Sequence, residues 1–353
     1  MTVARLPETV VRRFSEDILR SLGASADESR INADGLVTAC LWWHPGQHQG
    51  LEKLFRYTRR VKNGGIVPSA EMVWVEERSS SALMDAAKGF GYVAAIRAMR
   101  RSIEKARGNG IAIVGVRNSN HFGIAGYHAL EAAKNGLIGI AMTNAGAEMA
   151  PWGSAEPVLG TNPWGIAVPR GGGYDPIILD IALTQSGKGM MRWLERAGLP
   201  MPDHWALTPD GQPTTDPSAG MDGPLLPMGD YKGYGLSLVT DVLSGVMTGA
   251  LFGRSVFQDD RNFDVGHTMI AVDPEAFLPG GEFAARLERL IDEVKAAPPI
   301  DPSQPILLPG EAEQERARHR LSEGIPVDVK TVARLATLAE GLGVPFSLTE
   351  EGL

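Results

Sequence analysis

Ile111-Ala112-Ile113-Val114-Gly115-Val116, followed by Arg117-Asn118-Ser119-Asn120-His121-Phe122-Gly123, is the stretch on which the fold turns. A short apolar run rich in β-branched residues, entered through Gly108 and Gly110 and left through polar residues, predicts a buried strand with a loop at its carboxyl end. Helical spacing runs from Tyr92 to Arg107 before it and from Ala125 to Asn135 after it, where Gly136 supplies a stop. Leu137 to Met142 then reads as a second buried strand. Ile166 to Val168, Ile177 to Leu179 and His267 to Val272 are further short strands. Strands separated by helices in this way predict an α/β layered domain.

Working outward, Val10, Val11, Phe14, Ile18 and Leu22 recur at helical spacing up to Gly23. Ser25 with Glu28 makes a capping box for a second helix towards Leu41. Pro45 and Gly46 break that helix, which places His48 on a loop or a new turn. A basic amphipathic helix follows from about Leu51 to Lys62 and stops at Gly64 and Gly65. Its Arg56, Arg59, Arg60 and Lys62 read as a solvated face. Pro200 to Asp230 is a long loop of Pro, Gly, Asp and Thr, and such loops inside compact domains carry function. Gly233 to Gly249 is helical in pattern, Pro298 to Pro309 an extended crossing, and two helices begin at Glu311 and Asp328. The division expected is a mostly helical lobe from residues 1–70 and 285–353, carrying the His48 loop, around an α/β domain at 71–284.

The chain has 353 residues and a net charge of −8, enough length for a substantial core and no basic cluster able to neutralise a row of phosphates. A nucleic-acid partner is therefore not expected. Apolar residues make up 43% and charged residues 22%, which excludes a disordered chain. Cys40 is the only cysteine, so neither an internal disulfide nor a thiolate metal cluster can form, and it reads as a small buried hydrophobe. With neither a leader pattern nor a long apolar run, a cytoplasmic location and no membrane association are expected.

The residues that could carry chemistry are few. No Gly-x-Gly-x-x-Gly follows a strand, Gly187-Lys188 lacks the upstream glycine of a phosphate loop, and no nucleophile elbow occurs. His121 sits at the carboxyl end of a strand, where α/β sheets bind ligands, and an imidazole of ordinary pKa about 6.5 suits proton transfer there. A histidine simply bonded inside its turn is the plainer reading. His44 and His48 flank Pro45-Gly46-Gln47; the break disfavours a helical metal pair, and either could act as an acid or sit on a turn surface. Asp180 ends Ile177-Ile178-Leu179 and could orient a histidine, bind a hydroxyl or cap a helix. Lys232-Gly233-Tyr234-Gly235 opens a helix where glycines permit close approach of a ligand.

In chain order, Asn118 to Gly123 with His121, Gly160-Thr161-Asn162-Pro163, Lys232-Gly233-Tyr234-Gly235 and Pro309-Gly310-Glu311 resemble the malate/L-lactate dehydrogenase family, which also holds ureidoglycolate, L-sulfolactate and Δ1-piperideine-2-carboxylate oxidoreductases. The likeness runs from about Val10 to Pro326. It implies a non-Rossmann NAD(P)-binding fold of the L-sulfolactate/malate dehydrogenase type with helical terminal segments, which fits the missing fingerprint. It also implies a homodimer, and reversible hydride transfer between NADH or NADPH and a 2-oxo acid or a cyclic imine acid, without a metal. By the resemblance, His121 is a catalytic base or cofactor contact. Asp180-Ile181-Ala182 lies near the nicotinamide, with Asp180 a relay partner, and Lys232, Gly310 and Glu311 contact the cofactor. Thr161 is placed with the substrate, and Ala145 stands where some members have a cofactor-binding Ser.

The N-terminal motif departs from the family pattern of Ser-His-Gly with an Arg four residues after the His. Here Gln47-His48-Gln49-Gly50-Leu51-Glu52-Lys53 carries what looks like a two-residue insertion. His48 is the proton donor expected, with His44 second. Gln47 replaces the relay Ser, and Lys53 replaces the carboxylate-binding Arg without its planar two-pronged contact. Trp42 and Trp43 either line a larger apolar pocket or pack a helix end. A small carboxylate substrate is expected. A nucleotide-binding relative without turnover and a zinc hydrolase using His44 and His48 are the competing readings.

Overall fold

The computed structural model describes residues 3–42, 49–257, 259, 261 and 264–348. In chain order its elements are β1 (Val3–Leu6), α1 (Glu8–Ser21), α2 (Ala26–Trp42), α3 (Lys53–Lys62), β2 (Val73–Glu77), β3 (Ser81–Asp85), α4 (Gly91–Asn109), β4 (Ile111–Ser119), α5 (Ala125–Ala133) and β5 (Ile138–Thr143). There follow β6 (Trp164–Val168), β7 (Ile177–Ile181), α6 (Lys188–Ala197), α7 (Pro217–Asp222), α8 (Tyr231–Asp241) continued by a π-helical turn Val242–Val246, β8 (Val265–Val272), α9 (Glu282–Ala296), α10 (Glu311–Glu323), β9 (Ile325–Asp328) and α11 (Val329–Leu342).

The large sheet has the order β2-β3-β4-β8-β5-β6-β7. Only β3 and β4 pair in parallel, and α4 supplies the crossover that a parallel pair requires. β8 lies between β4 and β5 and runs antiparallel to both. The strand–helix–strand unit read around Ile111 is present, but its two strands are not neighbours. The one parallel pair has antiparallel neighbours on both sides, unlike the parallel sheets that carry the usual dinucleotide turn, and the glycine fingerprint is absent as well.

Helices α4 and α5 cover one face. Ser102 of α4 donates to the Met269 carbonyl of β8 at 3.1 Å. Gly165 of β6 is glycine because a Cβ there would lie 2.3 Å from the Ala125 carbonyl carbon and oxygen, at the start of α5. The π-helical turn reaches β8, where the Thr268 hydroxyl donates to the Leu243 carbonyl at 2.9 Å. Chain ends are tied by the antiparallel pair β1–β9. Arg316 and Arg320 of α10 donate to the carbonyls of Trp42 and Cys40 respectively, satisfying the last turn of α2. One buried core runs from Phe14, Leu36 and Leu335 in the terminal helices to Val114 and Met269 in the sheet. The boundary drawn at 284/285 falls inside α9.

Two expectations need correction. The segment from Arg117 is not loop throughout, since β4 continues to Ser119 across an irregularity between Val116 and Ser119. The cations of α3 are not uniformly solvated. Arg60 is 2% exposed and sits over the Phe257 ring at 4.9 Å, a cation–π contact that compensates lost hydration, whereas Arg56, Arg59 and Lys62 are exposed. Cys40 is half-buried, and burial pushes its thiol up to about 12.

Candidate active site

A cavity of about 1710 Å³ opens where the carboxyl ends of β4, β5 and β7 meet α3, α6 and α10. Cations outnumber carboxylates among its lining residues, the reverse of the chain as a whole.

His121 is held there by its neighbours. The Asn120 amide donates to the carbonyls of Lys88 and Gly89 at 3.0 Å each and of Gly65 at 3.2 Å, fixing the exit of β4. Gly123 takes φ of +83°, and a Cβ at that position would come within 1.8 Å of the Tyr92 hydroxyl oxygen. The bend lets the Gly123 N–H donate to His121 Nδ1 at 3.1 Å. Burial, then Lys53, Arg56 and Arg60, hold the imidazole well below its ordinary pKa. His121 is thus a neutral ring whose proton is assigned to Nε2, because Nδ1 already accepts.

Lys53 is the first residue of α3 and is 9% exposed. Burial, reinforced by Arg56 and Arg60, lowers its ammonium to about 7, with Glu52 and Glu148 pulling the other way. Glu148 follows β5 by five residues and lines the same cavity. Burial pushes its carboxyl up, while Lys188, Arg56, Lys53 and Arg192 act to hold it down.

Asp180 stands next to the last residue of β7 and faces the start of α5. A Cβ on Gly126 would lie 3.0 Å from Asp180 Oδ2, so glycine there lets the helix start meet the carboxyl. Both carboxyl oxygens are buried without a hydrogen bond of normal geometry. Burial pushes the group up to about 7, against the amides of Gly126 and Ala125. Ile181 and Ala182 line the cavity beside it.

Thr161 and Ala145 also line it. Asn162, with φ of +35°, knits these segments together by accepting from the Ala145 N–H and donating to the Ser237 carbonyl, each at 2.9 Å. Gly310 reaches the cavity at φ of +91°, packed on Ile178, whose N–H donates to the Pro309 carbonyl at 2.9 Å.

Not every expected residue arrives. Glu311 lies outside the cavity lining, paired with Lys295 and accepting from the Leu308 N–H at 2.8 Å. Lys232 is exposed on α8, also outside the lining. Trp42 is buried and lines the cavity. Trp43, His44, Gln47 and His48 lie outside the described residues. Among the described residues, no group of three or more His, Cys, Asp or Glu side chains could hold a metal, and no helix is long and apolar enough to cross a membrane.

Sequence reasoning missed Glu148, Lys188, Arg192, Arg316 and Arg334, all of which line the cavity. Glu148 was findable by the strand-end rule applied to Leu137–Met142. The cations of α6 were not, because Gly187 and Gly189 disguise that helix as a turn.

The family model for malate/L-lactate dehydrogenase matches residues 6–336. The malate dehydrogenase of Pyrococcus abyssi is 37% identical over 349 residues, covering 96% of this chain and 95% of that one. The L-sulfolactate dehydrogenase of Methanothermobacter thermautotrophicus is 34% identical over 347 residues, covering 98% of each. A crystal structure of malate dehydrogenase from Entamoeba histolytica superposes with a TM-score of 0.92 at 29% identity, covering 98% of this chain and 99% of that one.

Proposed function

This chain belongs to the malate/L-lactate dehydrogenase family, and from that premise we propose that it transfers hydride reversibly between a nicotinamide dinucleotide and C2 of a 2-oxo or 2-hydroxy acid. The observation that carries the reading is the convergence of His121, Lys53 and Asp180 on one cavity. Its volume accommodates a dinucleotide and a small acid together. A buried carboxyl without a hydrogen bond of normal geometry at Asp180 and a side-chain-free turn at Gly310 suit a polar cofactor lying along β7. Asp180, Ile181, Ala182 and Gly310 would hold it, and the bound nicotinamide supplies or accepts the hydride.

In the reducing direction negative charge grows on the substrate oxygen. The neutral His121 ring stabilises it through an Nε2–H bond, at no cost of protonating a buried imidazole. Lys53 pairs with the carboxylate next to the reacting carbon. An anion arriving beside it restores the countercharge that burial removed and draws its proton back. Thr161 and Gln47 complete the substrate contacts, and His48 is the proton donor, a role resting on the sequence pattern around it. Gln47 would orient His48 in place of the family Ser. Lys232 and Glu311 are proposed cofactor contacts only in the assembled protein, since neither lines the cavity of a single chain.

A second copy of the chain is the proposed partner. α8 and its π-helical continuation expose Tyr231, Leu238, Val239, Val242, Val246 and Met247 side by side, an apolar strip that water leaves uncovered. Sedimentation velocity should give a dimer, and a monomer at micromolar concentration would refute the pairing. A reducing cytoplasm fits a chain whose one cysteine has no partner within it.

The test is titration with NADH and NADPH followed by nicotinamide fluorescence, then turnover with 2-oxo acids and cyclic imine acids. Saturable binding of either cofactor and oxidation by a 2-oxo acid are expected. Binding of neither refutes the proposal, and turnover of imines alone moves the substrate to the C=N class.

A further inference from the structure

His267 is the third residue of β8, the strand that has β4 on one side and β5 on the other. It stands opposite Val116 of β4 and Thr143 of β5, and residues opposite one another in paired strands share a face of the sheet. The next pair towards the cavity is Ser119 with Val265, so three residues of β4 run against two of β8. This is a bulge of one residue, and it changes which side chain His267 meets. In an unbroken ladder Asn118 would lie opposite Val265, on the face of His267; the extra residue brings Ser119 there instead. Asn118 absorbs the irregularity with φ of +51°, its N–H donating to an Asp264 carboxyl oxygen and its amide to Asp85 Oδ1 at 3.0 Å.

The imidazole of His267 is fully buried and bridges the two strands. Nε2 lies 2.8 Å from the Ser119 hydroxyl and Nδ1 2.8 Å from the Thr143 hydroxyl. Burial pushes the ring down to about 3, so it is neutral and offers one donor and one acceptor, which the two hydroxyls match in either tautomer. The Phe122 ring stacks on it with centroids 4.9 Å apart and planes at 16°. His128 Nε2 donates to the Phe122 carbonyl at 2.6 Å. From Asn118 to Phe122, each side chain but that of His121 is thus tied to a group outside the cavity lining. On the β5 side, the segment from Thr143 to Glu148 lines the cavity without a break.

We infer that His267 is a positioning residue for hydride transfer: bonded to both Ser119 and Thr143, it fixes the spacing between the wall that carries His121 and the wall that runs from Thr143 to Glu148. The inference rests on the hydride-transfer reading and adds to it a residue that itself lies outside the cavity lining. A misplacement of about 1 Å between reacting groups costs about 10²-fold in rate, so a buried tie of this kind governs turnover with no contact of its own.

The experiment measures kcat with 2-oxo and cyclic imine acids at saturating cofactor, per cofactor-binding site counted by nicotinamide fluorescence. Counting sites removes any loss that comes only from fewer folded molecules. The proteins are wild type, His267→Phe, His267→Gln, Ser119→Ala, and each His267 variant combined with Ser119→Ala. His267→Phe keeps a ring against Phe122 and deletes both bonds; kcat per site should fall about 10- to 100-fold while cofactor dissociation constants stay put. His267→Gln, whose amide stands where Nε2 was, should recover part of that loss through Ser119. Ser119→Ala should cost about 3- to 10-fold alone, the range for one ordinary hydrogen bond, should cancel the recovery in the Gln background, and should cost nothing in the Phe background. An unchanged kcat per site in His267→Phe would overturn the inference and leave the ring as core filling. A Ser119→Ala loss as large in the Phe background as in wild type would overturn it too, as would weakened cofactor binding, which would make His267 a support of the cofactor pocket. Should His267→Phe not fold, Ser119→Ala decides alone, since Ser119 lies outside the cavity lining, and a wild-type kcat per site then overturns the inference. A wild type that binds cofactor and turns over neither class of acid refutes the hydride-transfer reading and this inference with it. An active wild type with unaffected variants refutes the inference alone.

Discussion

Replacing Lys53 with methionine keeps the stem of the side chain and deletes its charge, which probes energetics and substrate binding at once. The fall of the Lys53 pKa from 10.5 to about 7 reflects burial first and the neighbouring Arg56 and Arg60 second. At about 1.4 kcal/mol for each tenfold change in proton affinity, holding this ammonium charged in the folded chain costs about 5 kcal/mol. Below about pH 7 folded and unfolded chains both carry the proton, so the cost stands in full. Between about 7 and 10.5 the unfolded chain binds the proton and the folded chain has released it, so wild-type stability rises with pH across that window. Lys53→Met should therefore be the more stable protein at about pH 6, by up to about 5 kcal/mol, and its advantage should shrink towards zero near pH 10. Urea denaturation of both proteins at several pH values measures this, because titration of groups remote from Lys53 cancels in the difference, while His121 and Glu148, which feel its charge, contribute beside it. The same variant should lose about 10²-fold in kcat/KM for a 2-oxo acid, through loss of a charge-assisted contact. A variant less stable than wild type at pH 6, or an advantage that does not change with pH, would refute the account of a desolvated cation.

Two further outcomes separate roles within the site. His48→Ala should lower turnover by about 10² to 10⁴ while leaving cofactor binding intact, whereas His121→Ala should cost less, since it removes a hydrogen bond and not the proton donor; the reverse order in steady-state kinetics would exchange the two assignments. Asp180→Asn should gain on wild type as pH rises from about 4 to 7 and hold a constant advantage above that, because the native carboxyl, pushed up to about 7, keeps a proton that the unfolded chain loses. A flat difference across that window would place Asp180 in its ionised form throughout.

How far the sequence could be read depended on what each signal consists of. The strands at Ile111, Ile138 and Val265 are apolar enough that burial alone betrays them. Their neighbours could not be known, because β8 comes far down the chain and its insertion between β4 and β5 is a long-range event with no local mark. The β2–β3 hairpin escaped notice since Val73 to Glu77 is exposed along its whole length and shows no apolar alternation. His121 and Asp180 were legible because each ends an apolar strand. Glu148, five residues past its strand, was within reach of the same rule, whereas the cations of α6 lie on a helix that opens with Gly187-Lys188-Gly189. The burial of Arg60 depends on Phe257, almost two hundred residues away, and helical periodicity within α3 cannot report it.

The late position of β8 also bears on how the chain acquires its form. Until residue 272 has left the ribosome, β4 and β5 each present an open strand edge, and the nascent sheet consists of two halves with nothing between them. Open edges of this kind are what neighbouring chains pair with when they aggregate. Closing the gap also requires contacts across more than a hundred residues, which slows folding. Synthesis of this protein therefore passes through a stage in which the two halves of the sheet await their central strand, and that is the stage at which their open edges are most exposed to mispairing.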